Sequence, residues 1–219
     1  MKILKHQNNL TECFKQQEAV CQQANHRVTK VLRMDLSFSE MLLRDNPNLK
    51  VVHLFRDPRA VINSHMTTPW FPIKDGSKNP IEDDIKIMCK RMRYDIESAI
   101  YLVDKYPDRV TVVQYEDYIE NTVDKMRSLY TFLGMKFSSE YEAFVNKISQ
   151  IKADSNNKVI AFSYRTKMPW DTVQMVDTYC KDVIHSLGLK TFPSKEHLNS
   201  TLFDPITTSL PFALLSRHN

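Results

Sequence analysis

The 219 residues are 42% hydrophobic and 26% charged, which suits one globular domain with a sizeable core. The chain has 3 glycines, Gly76, Gly134 and Gly188, none of them paired, so a glycine-rich phosphate cradle of the GxxxxGK or GxGxxG kind is excluded. A net charge of +4 leans weakly toward anionic ligands, but acids and bases are mixed without blocks, and no zinc-finger spacing or basic-aromatic run points to nucleic acid.

No stretch approaches the roughly 20 apolar residues of a membrane span, and Met1 to Leu10 lacks the apolar core of a signal peptide. Cys13, Cys21, Cys89 and Cys180 are too scattered for a disulfide scaffold and contain no CxxC. Buried thiols are the simplest expectation, with one or two bridges as the alternative in an oxidising compartment. Asn9-Leu10-Thr11 and Asn199-Ser200-Thr201 are glycosylation sequons, meaningful only with a lumenal address.

In chain order, residues 11–25 are polar and read as helix or loop. Val28 to Met34 is β-branched enough for a short strand. A short helix is expected from Phe38 to Arg44, closed by Asn46-Pro47. Val51 to Phe55 is a continuous apolar run with one His, the pattern of a parallel strand covered on both faces. At Asp57-Pro58 the period changes: Asp caps and Pro opens a helix reaching Met66. Thr67 to Pro80 reads as a loop containing Trp70 and Phe71. Asp83 or Asp84 should cap a long helix to Tyr106, followed by a strand from Val110 to Gln114 and a helix from Thr122 to Leu133 stopped by Gly134. Ser139-Glu140-Tyr141-Glu142 has the form of a capping box. Residues 152–169 read as a polar connection, and Asp171 should cap a last helix ending at Gly188. Strands alternating with helices predict an α/β fold with a parallel sheet. The expected organisation is a poorly defined segment 1–27, a domain 28–192 and a tail 193–219.

Ligands of parallel sheets collect beyond the carboxyl ends of strands, where Arg56 falls. Ser64 lies two helical turns further on, and the first turn between them offers free amides and a positive dipole end. A guanidinium fork and a hydroxyl placed so can grip one phosphate together. The spacing equally fits an Arg56 paired with Asp57 and a Ser64 that merely faces solvent.

The segment Leu49 to Val61 closely resembles the second PAPS-binding motif of the Golgi carbohydrate sulfotransferases that act on the 6-hydroxyl of galactose or N-acetylglucosamine. PAPS is 3′-phosphoadenosine 5′-phosphosulfate, the sulfuryl donor. Further resemblances follow in the family's order: Lys30-Val31-Leu32-Arg33, Cys89 to Asp95, Val113-Gln114-Tyr115-Glu116-Asp117 for the VRYEDL element, Leu129 to Gly134, and Trp170, Cys180 and Leu187-Gly188-Leu189. The resemblance implies a three-layer, P-loop-NTPase-like sulfotransferase fold, with the 3′-phosphate of PAPS held by Arg56 and Ser64, and Lys30 and Arg33 lining the donor groove or standing at a solvated strand end.

It also implies a glycan acceptor, which Arg59, His65, Trp70 and Phe71 are placed to meet, a Golgi location and no metal requirement. Glu116 and Asp117 are expected to brace the turn after their strand rather than act as a base, His53 to be a hydrogen-bonded core residue, and Trp170 a core or hinge aromatic. Gln114 stands where the family has Arg. Upstream of Lys30 nothing resembles the family's first strand, 5′-phosphosulfate loop and helix, so the fold is expected to lack its first βα unit and no catalytic base is assigned. The expectation is that Met1 is an internal start of a longer protein, with membrane association only through an N-terminal anchor absent from this sequence. The alternative is a catalytically inactive nucleotide- or glycan-binding module, or an enzyme acting on another hydroxylated acceptor.

Overall fold

The computed structural model describes residues 2–32, 34–68, 79–153 and 161–207. The chain divides into two compact units, Met1–Met34 and Asp35–Asn219. The first holds helix α1 (Lys2–Gln23), a largely polar helix, followed by extended coil. The strand expected from Val28 does not form: residues 28–32 join no ladder, and Val28 is 90% exposed. β-branched side chains favour a strand through packing on a sheet surface, and these have none.

The second unit begins with a 3₁₀ turn (Leu36–Phe38) and helix α2 (Ser39–Asp45), ending at Asn46 as Pro47 requires. Strand β1 (Val51–Phe55) leads into α3 (Pro58–Met66), whose start is fixed by Pro58 and by the Asp57 carboxylate accepting the Arg59 amide at 2.9 Å. Helix α4 (Pro80–Lys105) starts earlier than expected, because Asn79, not Asp83 or Asp84, accepts the Glu82 amide ahead of Pro80. Glu82 and Asp83 then lie in the first turn, at the positive end of the helix dipole. Strand β2 (Val110–Gln114) runs parallel to β1, in register from Val51 opposite Val110 to Phe55 opposite Gln114. The two α-helices between them supply the crossover that parallel strands require.

After β2 come α5 (Tyr115–Glu120), α6 (Thr122–Leu133) and α7 (Ser139–Ala153). Gly134 closes α6 at φ 72°, as expected of a left-handed cap. At α7 the cap is Ser138, whose hydroxyl accepts the Tyr141 amide, one residue before the expected Ser139. The connection expected over 152–169 contains a short helix, α8 (Tyr164–Lys167), with Tyr164 buried. The single last helix expected from Asp171 to Gly188 is instead two, α9 (Trp170–Tyr179) and α10 (Lys181–Ser186), broken at Cys180. Cys180 is disulfide-bonded to Cys89 of α4 with Cα atoms 5.1 Å apart, so these two are not the free thiols expected, while Cys21 is exposed and free.

The core lies on one face of the sheet. Phe55, Val110 and Val112 join Ile85, Met88, Cys89, Ile96, Ala99, Leu102 and Val103 of α4 and Val173, Val176, Val183 and Ile184 of α9 and α10. β1 is therefore not covered on both faces as expected: its alternate residues Val52 and Leu54 are 37% and 55% exposed. Residues beyond Leu187 fold back through a bridge between Leu189 and Ile206 and through α11 (Lys195–Asn199), whose Leu198 is buried. Arg165 of α8 holds that turn by donating to the carbonyls of His197, Leu198, Ser200 and Phe203. Among the described residues no helix is long and apolar enough to cross a membrane.

Candidate functional site

Because β1 and β2 are parallel and in step, their carboxyl ends open at the same edge of the sheet. The residues that follow each strand, Arg56-Asp57 and Tyr115-Glu116, therefore face one another. The guanidinium carbon of Arg56 lies 4.5 Å from the centre of the Tyr115 ring, and its Nε is buried with no hydrogen-bond partner. A cation stacked on a ring keeps its in-plane donors for an incoming anion, and a buried donor left without an acceptor carries a desolvation cost that an anion removes. Among the described residues Arg56 makes no ion pair, so the reading in which Asp57 consumes it does not hold.

Ser64 is exposed on the second turn of α3, roughly 9 Å along the axis from Pro58. Its carbonyl accepts the hydroxyls of Thr67 at 3.1 Å and Thr68 at 2.7 Å, and its own hydroxyl makes no hydrogen bond to a described residue. The neighbouring His65 has its Nδ1 2.8 Å from the Asp84 carboxylate, tying α3 to α4.

Asp57 is committed elsewhere. Its two oxygens accept from Arg59 Nε and Nη2 at 2.9 and 2.8 Å, and from the Tyr164 hydroxyl at 2.9 Å. Arg59 Nη1 reaches Asp177 at 3.2 Å and the Lys190 carbonyl at 2.9 Å, while Asp177 also accepts the Phe192 amide at 2.7 Å. Arg59, expected to border an acceptor, is fully buried with its guanidinium over the Phe192 ring. The reason is charge pairing: a guanidinium with five fixed donors is stable in a core only when its donors are met, and Asp57, Asp177 and Lys190 meet them. Burial alone lowers the pKa of Arg59, but Asp57, Tyr164 and Asp177 reverse this and hold it firmly charged. Burial raises the Asp177 pKa, with Arg59 opposing.

Glu116, at the first turn of α5, is 1% exposed. One carboxyl oxygen accepts the Asp57 amide at 3.0 Å, and the other is buried without a partner. It thus braces the turn after β1, across the strand pair, as well as standing in the turn of its own strand; Asp117 pairs with Lys125 at 3.1 Å. Burial, together with the Asp57 charge, pushes Glu116 up to about 7. Gln114 is buried and donates to the Leu187 carbonyl at 3.1 Å.

His53 lies edge-on to Phe55, with Nε2 4.0 Å from the Asp95 carboxylate, beyond the reach of the hydrogen bond expected; burial lowers its pKa. Trp170 is partly buried against the core. Lys30 is exposed coil in the first unit, and Arg33, Trp70 and Phe71 lie outside the described residues.

Residues 4–139 match the family described as Sulfotransferase family. The chain belongs to the sulfotransferase family. Similar proteins include carbohydrate sulfotransferase 3 of Mus musculus, 26% identical over 192 residues, covering 78% of this chain and 40% of the relative. Carbohydrate sulfotransferase 1 of Danio rerio is 24% identical over 215 residues, covering 88% of this chain and 51% of the relative. Carbohydrate sulfotransferase 6 of Homo sapiens is 24% identical over 209 residues, covering 84% and 53% respectively. The chain thus spans about half the length of the curated relatives it matches. No solved structure matches it.

Three placements lie beyond the expectations from sequence: Tyr115 carries Arg56, Glu116 holds the Asp57 amide, and Tyr164 and Asp177 complete the Arg59 network. A signal for the first two is present: each strand is followed by a basic or aromatic residue and then an acid, and equal-length parallel strands place such dipeptides side by side.

Proposed function

We propose that the protein transfers a sulfuryl group from PAPS to a glycan hydroxyl, the 6-hydroxyl of N-acetylglucosamine or galactose, and that Arg56 and Ser64 bind the donor's 3′-phosphate. The observation that carries this is the Arg56 guanidinium, stacked on Tyr115 at the carboxyl end of β1 with its Nε buried and unpartnered. The exposed Ser64 hydroxyl on the helix that follows supplies a second contact. The names of the similar proteins support a carbohydrate acceptor. In the transfer, the acceptor oxygen forms a bond to sulfur while the bond from sulfur to the bridging phosphate oxygen breaks. That oxygen leaves with the electron pair as 3′-phosphoadenosine 5′-phosphate, and the acceptor proton passes to a base. Arg56 and Ser64 contribute by holding the nucleotide in line for that displacement.

The same reading puts the two described strands in a three-layer, P-loop-NTPase-like sheet; the half-open face of β1 at Val52 and Leu54, which a further layer would cover, supports it. It also places the protein in the Golgi lumen, supported by the Cys89–Cys180 disulfide, which an oxidising compartment sustains. The exposed Asn199 of the second sequon is then open to modification.

Calorimetry with 3′-phosphoadenosine 5′-phosphate against adenosine 5′-phosphate tests the donor site. Arg56→Ala is expected to lose about 2–5 kcal/mol of binding and Ser64→Ala about 1–3 kcal/mol, both only for the nucleotide with a 3′-phosphate. Equal affinity of the protein for the two nucleotides would overturn the assignment. Sulfate incorporation into N-acetylglucosamine- or galactose-terminated glycans tests the transfer separately from binding. For the lumenal location, a secretory host should yield a protein that glycosidase shifts in mass and that Asn199→Gln shortens by one glycan.

A further inference from the structure

Glu116 occupies an unusual position beside the Arg56 turn. It is 1% exposed, it grips the amide of the residue after Arg56, and its second oxygen has no partner. The charged groups facing it come from one turn: the Asp57 carboxylate, which opposes its ionisation, and the Arg56 guanidinium, which favours it. On the far side of Asp57 stand Arg59 from α3, Tyr164 from α8 and Asp177 from α9; on its own helix Asp117 is already paired with Lys125 of α6. Arg56 is therefore the cation whose field favours a charged Glu116.

An anion bound to Arg56 competes for that same cation. It neutralises the field that favours ionised Glu116 and adds a further negative charge beside Asp57, in a region where low dielectric magnifies repulsion. Resting on the proposed donor site, we infer that Glu116 is a proton-linked positioning residue: it carries a proton when the 3′-phosphate occupies Arg56, so donor binding takes up a proton. Burial and Asp57 already bring the free carboxyl to about 7, so the linkage falls in the physiological range. The hydrogen bond from the Asp57 amide survives in either state, because a neutral carboxyl retains its carbonyl acceptor. The turn therefore keeps its shape while its charge changes.

Titration calorimetry of the full chain with 3′-phosphoadenosine 5′-phosphate at pH 8, in two buffers of different ionisation enthalpy, measures the proton count directly. At that pH the ligand's phosphates, with second ionisations near pH 6, add little of their own. The expected result is an uptake approaching one proton for the wild type and none for Glu116→Gln, whose amide keeps the acceptor for Asp57. From pH 7 to 8.5 wild-type affinity should fall by roughly 15-fold, as expected for one linked proton whose free value is about 7, while the Gln variant stays within about twofold. Binding without proton uptake, or the same pH profile in both proteins, would overturn the inference and leave the donor site standing. Failure of the wild type to bind the nucleotide at any pH would instead sink the donor-site reading. Should the variant not fold, the wild-type proton count alone decides.

Discussion

At the residue scale, two neighbouring arginines have opposite fates. Arg56 ends β1 with its guanidinium on Tyr115 and a donor unmet, whereas Arg59, three positions on, is fully buried and satisfied by Asp57, Asp177 and the Lys190 carbonyl. One is available to a ligand and the other is structural. Asp57→Asn should accordingly destabilise by about 3–5 kcal/mol in urea unfolding, because it leaves a buried guanidinium undercompensated. Glu116 adds a pH signature. Its folded value lies above the ordinary carboxyl value of 4.5, so between there and about 7 the folded state holds a proton that the unfolded chain has released. Stability from this group is full below the lower value and is lost as pH rises through the upper one. Relative to Glu116→Gln, the wild type should lose roughly 2–3 kcal/mol between pH 4 and pH 8, read from denaturant midpoints across that range.

At the element scale, local rules account for β1, α3, β2 and α6. Proline after an aspartate, an apolar run and a glycine stop act within a few residues, and the structure puts those elements where the rules do. Gly134→Ala is expected to cost about 1–2 kcal/mol, purely from the backbone at φ 72°, since an added Cβ there meets nothing within 4 Å; thermal unfolding checks it. The misreadings occur where the decisive partner is distant in sequence. Val28 to Leu32 had strand propensity but no ladder partner. The helix expected through Cys180 breaks where that residue bonds Cys89, 91 positions away. Replacing both cysteines with alanine should cost about 2–5 kcal/mol, measured as the difference between oxidised wild type and variant.

At the scale of the whole molecule, the described buried apolar residues all lie at or beyond Leu36, in the unit Asp35–Asn219. That unit holds its own sheet, core and disulfide, so removing residues 1–34 is expected to leave its melting temperature within a few degrees of the full chain's. The strand, turn and helix from Val51 to Met66 could be read from the sequence because Asp57 and Pro58 act through short-range geometry. The α/β alternation and the family are likewise legible in the residues alone, since residue types in order suffice for both. Three features arise from long-range packing: Arg56 rests on Tyr115, Arg59 is interior and Glu116 reaches across to the Asp57 amide. The first and third depend on the register of two strands 59 positions apart in sequence, with Val51 opposite Val110, and the second on Asp177 and Lys190, more than 100 positions from Arg59; both are set by packing against a shared core rather than by any local run of residues.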